Sequence, residues 1–106
     1  AGLTAALAMG AAACGSAPHF DVLVRGGQVL DGRGTAARRA DIGVNGDRIV
    51  ALGDLSAATG ATVIDASGRI VSPGFIDVQG QSGTSLLVDG GGESHLRQGI
   101  TSEIIG

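Results

Sequence analysis

Short apolar runs that alternate with polar residues fill positions 20 to 72, and glycine-rich turns separate them. Alternation with period two is typical of strands that have one covered face. Three turn sequences predict hairpins between these strands: Arg25-Gly26-Gly27, Asn45-Gly46 and Ser67-Gly68. The second is the strongest signal, because Asn and Gly both tolerate the positive φ of a two-residue hairpin turn. The pattern therefore predicts six short antiparallel strands and no helix in this segment.

The pattern changes at Pro73-Gly74. Residues 75–78 form a nearly continuous apolar run, which is typical of a parallel strand covered on both faces. A glycine-rich stretch follows, then a short helix predicted over residues 93–98 and ended by Gly99, then a strand in ITSEIIG. Strand, helix and strand make one βαβ unit, which is far less than the ~250 residues of a closed barrel.

The first 14 residues predict a targeting segment. They carry no charge, and the 13 that precede Cys14 fall short of a membrane span but match the ~7–15-residue apolar part of a secretory signal. Small residues on both sides of Cys14 resemble a bacterial lipoprotein signal, in which the cysteine is lipidated. Ordinary signal cleavage and an uncleaved apolar leader remain as alternatives. We therefore expect an exported protein, periplasmic or attached to the membrane through Cys14, with residues 15–19 as a linker.

Composition narrows the function classes. The 106 residues include no Trp or Tyr and only two Phe, so a core must consist mainly of Val, Ile, Leu and Ala. The net charge of -3 and the scattered arginines give no basic surface and argue against nucleic acid as a partner. The chain begins without Met and ends inside an apolar run, so we expect a fragment of a longer protein.

Candidate chemistry lies at the end of the strand over residues 75–78. Residues i and i+2 of a strand point to the same side, so Gln79 and Gln81 are expected to face the same way. Two histidines there could hold one metal ion, each through a ring nitrogen. This sequence has carboxamides instead.

Three stretches, FDVLVRGGQVLDG, GDRIVALG and VIDASGRIVSPGFIDV, resemble the N-terminal part of the amidohydrolase superfamily. RQGITSEIIG further resembles the branch of D-aminoacylases, or N-acyl-D-amino-acid deacylases. The resemblance implies a composite β-sandwich joined to a metal-bearing TIM (β/α)8 barrel. Residues 20–72 would form part of the sandwich, and residues 73–106 the first strand-helix-strand of the barrel.

The resemblance also implies an activity: hydrolysis of a non-peptide C–N bond in a small-molecule amide, with zinc bound by residues beyond the fragment. Gln79 and Gln81 stand where the family has its paired histidine ligands. They bind substrate or line the pocket, or they are inert loop residues, or they keep a weak metal contact. Asp77 either orients the site or is a buried structural aspartate, while His95 is expected on a solvated helix face.

Two other classes of protein remain open. The double glutamine favours a barrel that has lost its metal and now binds or scaffolds, because a fold does not guarantee a function. The third interpretation is a small exported lipoprotein that is complete in itself. If the parent is an enzyme, we expect this fragment alone to be inactive, because it contains no catalytic residue.

Overall fold

The computed structural model describes residues 16–105. The predicted leader and the lipidation site Cys14 therefore lie outside the described residues. Within residues 16–105, no helix is both long and apolar enough to cross a membrane.

Most of the described chain forms one mixed sheet. Its strand order is β3-β2-β1-β4, and β5 also pairs with β1. The β1–β2 and β2–β3 pairs are antiparallel, whereas β4 and β5 both run parallel to β1. The strands are β1 (His19–Val29), β2 (Arg38–Asn45), β3 (Arg48–Gly53), β4 (Thr59–Asp65) and β5 (Ile70–Val71).

The hairpin predicted at Arg25-Gly26-Gly27 is wrong, because β1 runs unbroken through these residues. The β1–β2 register shifts between Val24 and Gly27, so Arg25 and Gly26 form a bulge opposite Asp41. Gly26 has φ +71° there, and its backbone N–H donates to the Asp41 carboxylate at 2.8 Å. One residue in the left-handed region bends a strand without reversing it, which explains why a turn-like sequence gives continuous strand.

The hairpin predicted at Ser67-Gly68 is also wrong. β4 and β5 lie one after the other along β1, and both run parallel to it. The turn therefore connects two successive segments of the same sheet edge and does not reverse the chain. The expectation of antiparallel strands throughout therefore fails at β4 and β5. Hydrogen bonds from the Ser67 side chain and backbone to Asp65 hold the pKa of that carboxyl below its ordinary value of 3.8. The Asn45-Gly46 hairpin is confirmed between β2 and β3, with Gly46 at φ +57°.

The core consists of two small clusters. One contains Phe20, Leu23 and Ala58, and the other contains Val29, Ala40 and Ile42. These clusters agree with the aliphatic core expected from the composition, with one phenylalanine added. A Cβ built on Gly43 would lie 2.6 Å from the nearest ring carbon of Phe20, so the ring packs directly on this backbone.

The strand-helix-strand unit expected after residue 73 is present. It consists of β6 (Phe75–Gly80), α1 (Ser85–Val88), α2 (Glu93–Arg97) and β7 (Ile100–Ile105), and β6 is parallel to β7. Helix α2 agrees with the prediction and is followed by Gly99 at φ +81°, whereas the single turn α1 was not predicted. Val78 of β6 is 73% exposed, so the cover predicted for both faces of this strand is missing within residues 16–105.

Candidate functional site

The two glutamines lie where the sequence places them, at the carboxyl end of β6. Gln79 is the second-last residue of the strand and Gln81 follows it, and both are exposed. Asp77 is half-buried, and its Oδ1 accepts a hydrogen bond from the Gln79 backbone N–H at 3.0 Å. The register with β7 shifts between Asp77 and Gly80, so β6 is irregular at the point where it delivers these side chains.

An open cleft of about 620 Å³ lies beside the end of β6. Gly80, Gln81, Gly83, Thr84 and Ile105 line it. The cleft is open to solvent. Gln81 is part of its lining, whereas Gln79 is not.

The end of β6 does not provide the pair of histidine metal ligands that the family has at these positions. A carboxamide oxygen is neutral and binds zinc weakly compared with an imidazole nitrogen. The side chains of Gln79 and Gln81 also make no hydrogen bond with any described residue that would hold them as ligands. What they can offer is an N–H donor and a carbonyl acceptor each, which suits recognition of an amide or a carboxylate.

A second group of polar side chains surrounds the middle of β6 and was not predicted as a group. Ligand atoms of Asp77, His95 and Glu103 lie within 4.8 Å of one another, and all three side chains are half-buried. Asp77 and Glu103 are paired residues on β6 and β7. His95 comes from α2, and the expectation of a solvated helix residue missed its approach to two carboxylates.

Ser82 orients the Glu103 carboxylate, and Gly80 leaves room for it. The Ser82 backbone N–H donates to Glu103 Oε1 at 3.2 Å, and the Ser82 hydroxyl donates to Oε2. A Cβ built on Gly80 would overlap the Glu103 carboxylate, so only glycine fits at this position without displacing Glu103. The glycine between the two glutamines therefore has a steric reason within the strand pair.

Comparisons with known proteins place the chain beside amide-hydrolysing enzymes. It is 49% identical over 87 residues to N-acyl-D-glutamate deacylase from Alcaligenes xylosoxydans xylosoxydans. This alignment covers 82% of this chain and 18% of that relative. The crystal structure of N-acyl-D-glutamate deacylase from Bordetella bronchiseptica, complexed with zinc and a phosphonate inhibitor, matches with a TM-score of 0.79 at 41% identity. A structure of D-aminoacylase matches with a TM-score of 0.78 at 44% identity. Each structure match covers 82% of this chain and 18% of the other.

These matches define which part of the relatives the chain represents. The chain spans about a fifth of the length of the relatives it matches. No protein-family model matches it. Metals belong to the relatives: zinc in the deacylase structure and a binuclear metal centre in D-aminoacylase. The chain is thus a homologue of the N-terminal region of D-aminoacylase and N-acyl-D-glutamate deacylase, which are amidohydrolases.

Proposed function

We propose that this chain is the N-terminal part of a longer amidohydrolase that hydrolyses the amide bond of N-acyl-D-amino acids. The observation that carries the proposal is similarity to deacylases over 82% of the chain, in sequence and in fold together. An alignment that covers 87 of the 106 residues includes β6, at whose end Gln79 and Gln81 lie.

The described residues supply recognition rather than chemistry. Amide hydrolysis needs a water molecule that adds to the carbonyl and a proton donor for the leaving nitrogen. We assign both tasks to other parts of the longer protein. Gln81 lines the cleft, and its amide nitrogen can donate to a substrate carboxylate or acyl oxygen. The 106-residue chain alone is accordingly proposed to be inactive.

Export is a separate part of the proposal. The uncharged first 14 residues and Cys14 support a signal with lipid attachment, and they lie outside the described residues. Labelling cells with a fatty-acid analogue tests this directly. Label should enter the wild-type protein and be absent from Cys14→Ser, whereas equal labelling of both proteins would exclude Cys14 as the lipid site.

The activity is tested by assaying the longer protein against matched N-acetyl-D- and N-acetyl-L-amino acids with acidic and neutral side chains. The released amine is quantified. We expect hydrolysis of D substrates at rates well above those of their L counterparts. Failure to hydrolyse any of them, by protein that contains metal, would contradict the proposal.

The paired glutamines favour one alternative, a related protein that binds a small amide without hydrolysing it. Such a protein would bind N-acyl-D-amino acids reversibly and would contain no stoichiometric divalent metal. Calorimetric binding together with metal analysis of the longer protein separates the two. Binding without turnover or metal supports the binder, and metal-dependent turnover supports the hydrolase.

A further inference from the structure

We propose that Asp77, His95 and Glu103 form a binding site for one divalent metal ion of the zinc type, at the junction of β6, β7 and α2. The site uses none of the side chains of Gln79 and Gln81. It does not depend on the proposed hydrolase activity, because its donors all lie within the described strand-helix-strand unit.

The distances suit a metal ion. Each of the three residues offers one ligand atom, and these atoms lie within 4.8 Å of one another. Ligands of a tetrahedral zinc ion with bonds of about 2.0 Å are roughly 3.3 Å apart. Closing the cluster onto an ion therefore requires side-chain movements of about 1 Å, which half-buried side chains can make through small torsional changes.

The two carboxylates are already oriented by neighbouring groups. Glu103 accepts hydrogen bonds from the backbone and the hydroxyl of Ser82, and Asp77 accepts one from the Gln79 backbone through Oδ1. Hydrogen bonds of this kind fix the direction of metal ligands and raise metal affinity. Within residues 16–105 the His95 ring makes no hydrogen bond, so its nitrogens are available to an ion.

The charge of the same cluster also favours a cation. Two carboxylates at this spacing repel each other, and no arginine compensates them: the ion pairs among residues 16–105 are Arg48 with Asp47 and Arg97 with Glu93. A divalent cation would neutralise both carboxylates at once. An imidazole with two carboxylates favours a zinc-type ion, since calcium and magnesium prefer oxygen ligands throughout.

A bound ion would also stabilise the packing of α2 on β6 and β7. The three ligands come from three elements, so a bound ion would tie α2 to both strands of a unit that has little buried apolar surface. Any ion that binds only the folded form stabilises it by mass action. The metal would therefore order the crossover next to the cleft that Gln81 lines.

The test is zinc binding by the longer protein in a Cys14→Ser background, since a free thiol would compete for zinc. Calorimetric titration should resolve one zinc equivalent that depends on His95 and Glu103. His95→Gln and Glu103→Gln should each weaken binding at least tenfold. His19→Gln is the matched control, because His19 bonds Thr59 at the far sheet and should leave binding unchanged.

A direct readout covers the case in which a variant loses its fold. These 106 residues include two histidines, and comparison with His95→Gln and His19→Gln assigns their ring signals, which can then be followed separately by NMR in the protein that retains both. Zinc should shift the ring nitrogens of His95 and leave those of His19 in place. Absence of a zinc equivalent that depends on His95 and Glu103, or zinc-dependent shifts at His19 and not at His95, would overturn the proposal.

Discussion

The Asp41 carboxylate joins the β1 bulge to the loop between β3 and β4. Oδ1 accepts the Gly26 N–H of the β1 bulge at 2.8 Å, and Oδ2 accepts the Leu55 N–H at 3.1 Å. Asp41→Ala removes both acceptors and leaves two half-buried N–H donors without a partner. We expect this substitution to loosen the bulge and the loop between β3 and β4 together.

The magnitude follows from the geometry. A hydrogen bond to a charged group contributes about 1.5–3 kcal/mol to stability. Asp41 is only half-buried, so water will replace part of each lost bond, and we expect a total loss of about 2 kcal/mol, or ~30-fold in the local opening equilibrium. Asp41→Asn keeps one acceptor oxygen and should lose about half as much.

Hydrogen exchange followed by mass spectrometry is the assay, with the amides of Gly26 and Leu55 as reporters. Both should exchange about 30-fold faster in Asp41→Ala. Asp47→Ala is the control: Asp47 is exposed, forms an ion pair with Arg48 at 3.7 Å, and should change neither amide. Equal exchange in the two variants would refute the reasoning.

Three further predictions concern packing and pH. Gly43→Ala should destabilise the protein by about 1–3 kcal/mol, because the added methyl group would overlap the Phe20 ring. In a double-mutant cycle, Phe20→Leu should recover part of that loss. Additive losses of stability would exclude the contact. Asp65 has a lowered pKa in the folded state, so it contributes stability above pH 3.8 that is lost as pH falls further. The urea midpoint should therefore fall less between pH 6 and pH 2.5 in Asp65→Asn, and equal falls would contradict this. Gly80→Ala should speed exchange in β6, whereas Gly90→Ala, with its nearest atom at 3.6 Å, should not; equal effects would argue against the steric account.

The sequence predicts local features of this fold better than its strand partners. Asn45-Gly46 specifies its hairpin because both strands adjoin the turn, and short-range chemistry suffices. Gly26 also has positive φ, but whether such a glycine makes a turn or a bulge depends on β2 opposite it. β4 and β5 find β1 more than 35 residues away along the chain, and no local pattern encodes that parallel pairing.

In the candidate site, too, the sequence predicts local positions but not contacts between distant residues. The positions of Gln79 and Gln81 at a strand end follow from the apolar run before them, and the structure agrees. His95 could not be assigned to a cluster, because its approach to Asp77 and Glu103 depends on how α2 docks after a glycine-rich crossover. The sequence predicts that β6 and β7 belong to one βαβ unit, but it does not predict the register that places Asp77 opposite Glu103.

The claim that Gln79 and Gln81 contribute hydrogen bonds rather than metal ligands is tested most directly in the longer protein that carries Gln79→Ala and Gln81→Ala together. Metal content and steady-state kinetics with an N-acyl-D-amino acid are measured on the same preparation. The account predicts unchanged metal stoichiometry and a KM raised about tenfold, which corresponds to the ~1.4 kcal/mol of one or two weakened hydrogen bonds. Loss of a metal equivalent from the double variant, or kinetics identical to those of the wild type, would contradict it.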